Sequence, residues 1–85
     1  MKLIWESRGW ADYLYWQEND RKMVKRINNI IRDMLRDPRE GIGNPEPLRE
    51  NLSGLWSRRI TEEHRIVYDI TAEDIRIISC KWHYK

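Results

Sequence analysis

Glu46 is the first residue in the chain whose surroundings suit chemistry. It stands between Pro45 and Pro47, and proline restricts the backbone on both sides, so the carboxylate can take few positions. Restriction of this kind suits a catalytic group, which has to be pre-positioned. It is equally typical of a plain turn.

Three arginines of the predicted meander are further candidates. Arg58 and Arg59 are adjacent, so in a strand they must point to opposite faces, and only one can share a face with Arg65. A four-residue turn would pair Ile60 with Arg65 and place Arg59 on the wrong face, whereas a five-residue turn or a bulge would bring Arg59 opposite Arg65. The alternative for either arginine is a surface ion pair with a glutamate of the turn.

A histidine lies next to the C-terminus. His83 is flanked by Trp82 and Tyr84, which could anchor the tail on the open face of a sheet, although chain ends commonly fray. Cys80, His64 and His83 are also potential metal ligands. Because a structural zinc ion needs four ligands and the chain has one Cys and two His, we expect no metal site.

The first elements can be predicted from periodicity. Lys2–Trp5 is a short apolar stretch typical of a buried first strand. Ser7 offers a side-chain cap for a helix that runs through Gln17, although Gly9 is unfavourable within it. One face of this helix carries Trp10, Tyr13, Leu14 and Gln17.

Asn19 or Asp20 can cap a second helix, which ends before Pro38. Its apolar residues recur with the helical period of 3.6 at Met23, Val24, Ile27, Ile30, Ile31, Met34 and Leu35. Its other face carries Arg21, Lys22, Lys25, Arg26, Arg32 and Arg36. This basic face is either solvated or turned towards RNA or a partner.

The remaining chain predicts a loop and a meander. Two Gly and two Pro within residues 41–47 exclude regular structure there. Strands are predicted for residues 55–60, 65–70 and 75–80. In the middle strand Ile66, Tyr68 and Ile70 should meet the helices, so Arg65 should project from the open face. The predicted fold is α+β: an N-terminal strand and two helices packed on one face of a mainly antiparallel sheet.

Composition limits the class of protein. With 85 residues we expect a single domain, residues 1–85, and five Trp with four Tyr indicate that some rings face a partner. The net charge of +2 is weak support for nucleic-acid binding. One cysteine suits a reducing compartment, and Lys2 and Glu6 interrupt the apolar N-terminus, so no signal segment or membrane span is predicted. We expect a cytoplasmic protein.

Taken together and in this order along the chain, the residues described above resemble the YoeB toxins of the RelE/ParE toxin superfamily. The resemblance covers nearly the whole chain. The most specific segments are YLYWQE at 13–18, PEPL at 45–48, NLSG at 51–54, WSRRITEEHR at 56–65 and HY at 83–84. YoeB toxins often carry lysine where Arg49 stands and phenylalanine where Leu55 stands. Positive charge is kept at Arg49, so the departure affects only fine positioning.

The resemblance implies a RelE-like microbial ribonuclease fold and the toxin component of a type II toxin-antitoxin system. It implies a ribosome-dependent mRNA interferase, an endoribonuclease that cleaves the codon in the A site and so inhibits translation. Glu46 is implied as general base, His83 as general acid and Arg65 as phosphate clamp, with Arg59 and Tyr84 in support. The implied RNA-binding residues are Arg49, Arg59 and Arg65.

Such chemistry needs only a base, a charge clamp and an acid. The base removes the proton of the RNA 2′-hydroxyl, which attacks the neighbouring phosphorus. Guanidinium groups stabilise the negative charge that develops, and a histidine can protonate the leaving oxygen near neutral pH. The products would be a 2′,3′-cyclic phosphate and a 5′-hydroxyl, without metal or cofactor.

The resemblance also implies partners. These are a YefM-like antitoxin whose disordered segment folds on the toxin, operator DNA bound only through the antitoxin complex, and a second copy in a homodimer. Two other functions are compatible with the chain: a non-catalytic inhibitor of the ribosome or gyrase with the same fold, and a corepressor subunit. If Arg59 and Arg65 both serve the site, the connection between their strands must be a five-residue turn or contain a bulge, so that the two arginines lie opposite each other.

Overall fold

A computed structural model of the chain describes residues 1–82, and the elements within them follow the predicted order. They are β1 (Lys2–Trp5), α1 (Ser7–Asn19), α2 (Arg21–Arg36), β2 (Glu46–Pro47), a 3₁₀ turn (Glu50–Leu52), β3 (Leu55–Arg59), β4 (Arg65–Ile70) and β5 (Asp74–Ser79). The predicted first strand, two helices and three-stranded meander are confirmed, with ends displaced by one or two residues.

The five strands form one sheet in the order β1-β5-β4-β3-β2. β1 pairs with β5 in parallel, and the other neighbours pair antiparallel. Both helices contribute to a core with one face of this sheet. The predicted α+β class and the mainly antiparallel sheet are therefore confirmed.

The core lies between the helices and alternate strand residues. Ile66 and Tyr68 of β4 face it, and so do Ile75 and Ile77 of β5, as the two-residue period of a strand requires. From α2 the buried residues are Met23, Ile27, Ile30, Ile31 and Met34. Leu35, at the end of the predicted apolar stripe, is exposed. The opposite, basic face of α2 is exposed throughout.

The two helix starts differ from each other. Asp20 caps α2, because its carboxylate accepts from the backbone N–H groups of Lys22 and Met23. The predicted cap of α1 is wrong: Ser7 is already the first helical residue, and the N-cap position belongs to Glu6, which makes no side-chain capping bond. α1 also continues two residues beyond Gln17, to Asn19.

Of the face predicted for α1, Tyr13 is partly buried and packs against the core, but Trp10, Leu14 and Gln17 are exposed. Gly9 and Trp16, seven positions apart, are buried instead. A Cβ atom at Gly9 would lie 2.5 Å from the carbonyl oxygen of Ile77, so glycine is what lets α1 approach β5. The indole of Trp16 donates to the carbonyl of Cys80 at 2.9 Å.

The segment around Glu46 contains a strand that the composition seemed to exclude. Glu46 and Pro47 form β2, with Glu46 opposite Ser57 and Pro47 opposite Trp56. Proline is tolerated because β2 is the edge of the sheet, where a missing N–H breaks no ladder bond. Glu46 is therefore held in the sheet, and the expectation of an irregular loop there is corrected.

Replacing Gly9 with alanine should lower the free energy of unfolding by about 1–3 kcal/mol, because the added methyl group meets backbone rather than a mobile side chain. Thermal or urea unfolding measures the loss. Glu18→Ala on the exposed side of the same helix is the control and should change stability by less than about 0.5 kcal/mol. Equal stability of the two variants would contradict the close approach of α1 and β5.

Candidate active site

The strand register settles which arginines share the open face of the sheet, the face away from the helices. Arg59 is the direct partner of Arg65, across a connection of residues 60–64. Ile60 is not paired with Arg65, and its backbone N–H donates to the carbonyl of His64. Arg59 and Arg65 therefore project from the same face. This is the register that a site containing both arginines requires.

Glu46 and Arg65 approach each other on this open face. Glu46 Oε1 lies 3.8 Å from Arg65 Nη1, with the Glu46 side chain 50% exposed and that of Arg65 19%. Glu46 belongs to β2 and Arg65 to β4, and β3 lies between them. The arginine side chain must therefore extend across β3 to reach the carboxylate.

Two polar groups at this position are buried without hydrogen-bond partners. They are Arg65 Nη1 and the hydroxyl of Ser57. Ser57 is the direct strand partner of Glu46 and precedes Arg59 by two residues, so its side chain lies on the open face. A buried donor without a partner is costly and uncommon in proteins.

Arg59 and Arg49 lie at the border of this region and are exposed. The backbone N–H of Arg59 donates to the carbonyl of Gly43 at 2.6 Å, which joins β3 to the segment that leads into Glu46. Arg49 follows β2 and precedes the 3₁₀ turn. Both residues thus belong to segments that adjoin Glu46 at this edge of the sheet.

His83 and Tyr84, predicted to complete the site, lie outside the described residues. The chain is well fixed up to that point. The N–H of Cys80 donates to Asp12 Oδ2 at 3.0 Å, and the N–H of Trp82 donates to His64 Nδ1 at 2.8 Å. The N–H of Arg65 donates to the carbonyl of Trp82 at 3.1 Å. The described chain therefore ends beside Arg65.

Arg58 turns to the opposite face from its two neighbours and is fully buried. Its five N–H groups have five acceptors. Nε donates to the Tyr68 hydroxyl, Nη1 to Asp33 Oδ2 and the Ile42 carbonyl, and Nη2 to the carbonyls of Asp37 and Glu40. The Tyr68 hydroxyl in turn donates to the carbonyl of Pro38. The interpretation of Arg58 as one member of a surface ion pair is therefore wrong.

The carboxylate of Asp33 is the charged partner of Arg58. It accepts from Arg58 Nη1 at 2.7 Å, from Arg36 Nε at 3.0 Å and from the backbone N–H of Ile42 at 2.9 Å. The Ile42 N–H, followed by Arg36 and Arg58, lowers the pKa of Asp33 to about 2. The carboxylate is thus ionised throughout the physiological range.

Gly43 connects this network to the site. Its φ of 79° lies in the left-handed region that favours glycine. A Cβ atom here would lie 2.9 Å from the carbonyl oxygen of Arg59. The chain therefore passes close to β3 before it enters β2 at Glu46. The segment that holds Glu46 in the sheet thus packs directly against the strand that carries the buried Arg58.

Within residues 1–82, no three His, Cys, Asp or Glu side chains are grouped to hold a metal ion. Cys80 is buried, and burial, with the nearby charge of Asp12, raises the pKa of its thiol to about 12. It is therefore a neutral thiol at neutral pH. None of the described helices has the length and apolar character needed to cross a membrane.

Comparison with known proteins identifies the family of this chain. Residues 5–84 match the family described as the YoeB-like toxin of bacterial type II toxin-antitoxin systems. The chain belongs to this family. A Toxin YoeB from Escherichia coli O6:H1 is 61% identical over 84 residues, which is 99% of this chain and 100% of the relative.

Solved structures of YoeB proteins have the same fold. A YoeB dimer from Staphylococcus aureus matches with a TM-score of 0.91 and 46% identity, over 99% of this chain and 98% of that one. A heterotetrameric YoeB-YefM toxin-antitoxin complex from the same organism matches with a TM-score of 0.90 and 46% identity, over the same shares. This chain is thus a YoeB-family toxin in sequence and in fold.

The sequence analysis of this YoeB-family chain missed Arg58, Asp33 and Ser57. One signal for Arg58 was available: two adjacent arginines in a strand require that one of them faces the helices. Asp33 stands out only when the turn after α2 is known, because two of its three partners are Arg58 and the backbone N–H of Ile42. No signal marks Ser57, since an unpartnered hydroxyl cannot be recognised without coordinates.

Arg58→Met should destabilise the protein by about 3 kcal/mol or more, because the carbonyls of Asp37 and Ile42, the Tyr68 hydroxyl and the Asp33 carboxylate all lose a hydrogen bond that Arg58 donates. Chemical unfolding measures the loss. Arg59→Met, at the adjacent exposed position, is the matched control and should cost under about 1 kcal/mol. Similar values for the two variants would refute the role of Arg58 in the fold.

The depressed pKa of Asp33 gives a pH dependence of stability. Because its folded pKa is about 2 and its ordinary value 3.8, the stabilising contribution is complete above about pH 4 and is lost as pH falls towards 2. Unfolding curves of the wild type and Asp33→Asn should differ most near neutral pH and converge near pH 2. The exposed Glu73→Gln should stay close to the wild type; a constant gap for Asp33→Asn would rule out this linkage.

Proposed function

We propose that this YoeB-family toxin is a ribosome-dependent mRNA interferase that cleaves mRNA in the A site. The observation that supports this most is the meeting of Glu46, Arg65 and Arg59 on one open face. Arg59 and Arg65 share this face with Glu46 only because the connection between β3 and β4 has five residues. A carboxylate beside guanidinium groups on an exposed surface suits proton abstraction next to a bound phosphate.

Glu46 acts as general base in this proposal. It removes the proton of the 2′-hydroxyl, whose oxygen then forms a bond to the adjacent phosphorus while the bond to the 5′-oxygen breaks. Its half-exposed carboxylate is open to RNA, and its place in β2 keeps it close to Arg65. The products are a 2′,3′-cyclic phosphate and a 5′-hydroxyl.

Arg65 stabilises the charge that develops on the phosphate oxygens, an effect worth several kcal/mol when the donors are already in place. Its Nη1 is buried without a hydrogen-bond partner near Glu46, so it can bind a phosphate oxygen once the groups that cover it move aside. Arg59 assists from the opposite strand. Arg49 binds the RNA backbone further along the same edge, as its exposure permits.

His83 protonates the departing 5′-oxygen, and Tyr84 supports it. A histidine suits this step because its ordinary pKa of about 6.5 allows proton transfer near neutral pH. The position of the preceding residue supports this role. The carbonyl of Trp82 accepts from the N–H of Arg65, and the N–H of Trp82 donates to His64. His83 is the next residue in the chain.

The proposed partners are a YefM-like antitoxin, a second copy of the chain, and the ribosomal A site with its mRNA. The YoeB-YefM complex and the YoeB dimer of Staphylococcus aureus support the first two. The exposed basic face of α2 suits an acidic or nucleic-acid partner. Operator DNA is contacted through the antitoxin complex. Action on translating ribosomes places the toxin in the cytoplasm.

The test is to map mRNA 5′ ends on translating ribosomes with added toxin, and with no divalent metal beyond what the ribosomes need. We expect cuts within A-site codons that leave a 5′-hydroxyl. Glu46→Ala and His83→Ala should each slow cleavage by about 10²–10⁴-fold while still sedimenting with ribosomes.

Glu73→Ala, an exposed acid in the turn before β5, is the matched control and should cleave like the wild type. Full toxicity of both Glu46→Ala and His83→Ala would remove the nuclease mechanism. That result would favour a non-catalytic inhibitor of the ribosome or gyrase.

A further inference from the structure

Ser57 is a buried polar residue at the centre of the open face. Only 1% of its surface is exposed, and its hydroxyl has no hydrogen-bond partner. Its strand partners are Glu46 on one side and Val67 on the other. A hydroxyl that has left water without gaining a partner destabilises the folded state. An apolar residue of similar size would avoid this cost, so the hydroxyl calls for an explanation.

The second unpartnered buried group belongs to the same place. Arg65 Nη1 extends across β3 towards Glu46, and the β3 residues on that face are Leu55, Ser57 and Arg59. Ser57 lies opposite Glu46, so the hydroxyl is beneath the path of the arginine side chain. Both unpartnered groups are hydrogen-bond donors. Two unused donors on the same face, which the strand register and the Arg65–Glu46 approach bring into one region, suit the oxygens of an anion.

The neighbouring carboxylate does not satisfy these donors. At 3.8 Å from Arg65 Nη1, Glu46 Oε1 is beyond hydrogen-bond distance. An ion pair this long, with one partner half exposed, contributes little. An incoming phosphate can therefore replace Glu46 at Arg65 at small cost, and the displaced carboxylate is then free to accept a proton.

We propose that Ser57 is a further substrate-contacting residue: the phosphate displaces Glu46, Arg65 moves aside to bind one non-bridging oxygen of the scissile phosphodiester, and the Ser57 hydroxyl that this movement uncovers donates to the other. This assignment rests on the proposed ribonuclease function. It adds a neutral donor, which binds the phosphate group without placing a second positive charge against Glu46.

The decisive comparison is Ser57→Ala against Ser79→Ala in single-turnover cleavage of A-site codons. Ser79 is a second buried serine of the same row, since it is the strand partner of Val67 on the side away from Ser57. Ser57→Ala should cleave about 10–100-fold more slowly, as expected when a hydrogen bond to a charged group is lost. Ser79→Ala should cleave at the wild-type rate.

Stability should move in the other direction. Because Ser57→Ala removes an unpartnered hydroxyl, its melting temperature should equal or exceed that of the wild type. A purely structural serine would lower both stability and activity. Should Ser57→Ala melt early, the nearly isosteric Ser57→Cys is the variant to measure, and it should show the same loss of rate.

The pH profile separates a phosphate contact from an action on Glu46. If Ser57 served only to donate to the carboxylate, its loss would raise the pKa of the base and move the rising limb to higher pH. We expect a lower rate with the limb unmoved. A shifted limb would overturn the phosphate contact.

Sulfur substitution of a single non-bridging oxygen identifies the contact. One phosphorothioate diastereomer should slow the wild type but should slow Ser57→Ala less, since the contact is already absent. Equal slowing of both proteins by both diastereomers would refute the proposal. If the wild type cleaves and Ser57→Ala cleaves equally fast, the role of Ser57 is rejected but the ribonuclease function stands. If the wild type does not cleave at all, both the ribonuclease function and the role of Ser57 are rejected.

Discussion

The guanidinium of Arg58 is the constraint around which this fold is arranged. A charged group fully withdrawn from water destabilises a protein strongly unless oxygen atoms replace the lost hydration. Here the turn after α2 supplies backbone carbonyls, α2 supplies the carboxylate of Asp33, and β4 supplies the hydroxyl of Tyr68. Helix, turn and sheet can satisfy the arginine only when all three are in their native positions.

The same interaction determines what faces the open side. Side chains alternate along β3, so an inward Arg58 forces Ser57 and Arg59 outward, and a slip by one residue would reverse all three. The register then places Arg59 opposite Arg65 and Ser57 opposite Glu46. The buried Arg58 thus fixes which face Arg59 occupies, so the positions of the candidate site residues on β3 depend on the packing of the core.

Sequence periodicity was sufficient where burial alone decides the structure. The stripe of α2 and the alternation of Ile66 and Tyr68 were predicted because apolar surface has to be covered. The family resemblance added the grouping of Glu46, Arg59 and Arg65. The register stayed open because the two possible turns differ by a single residue, and the strand at Glu46 was missed because its pairing depends on a distant partner, Ser57. The face of α1 was missed because it depends on the tertiary fit of Gly9 against Ile77.

The parallel pairing of β1 with β5 has a consequence for the order of folding. Lys2 is opposite Asp74, so the first strand to be synthesised has its place beside the last. A contact between such distant points closes late, since most of the chain must be present first. The hairpins β2–β3–β4–β5 can assemble from neighbouring segments, whereas β1 waits for residues 74–77 to emerge from the ribosome. The toxin can therefore complete its sheet only after β5 has been synthesised.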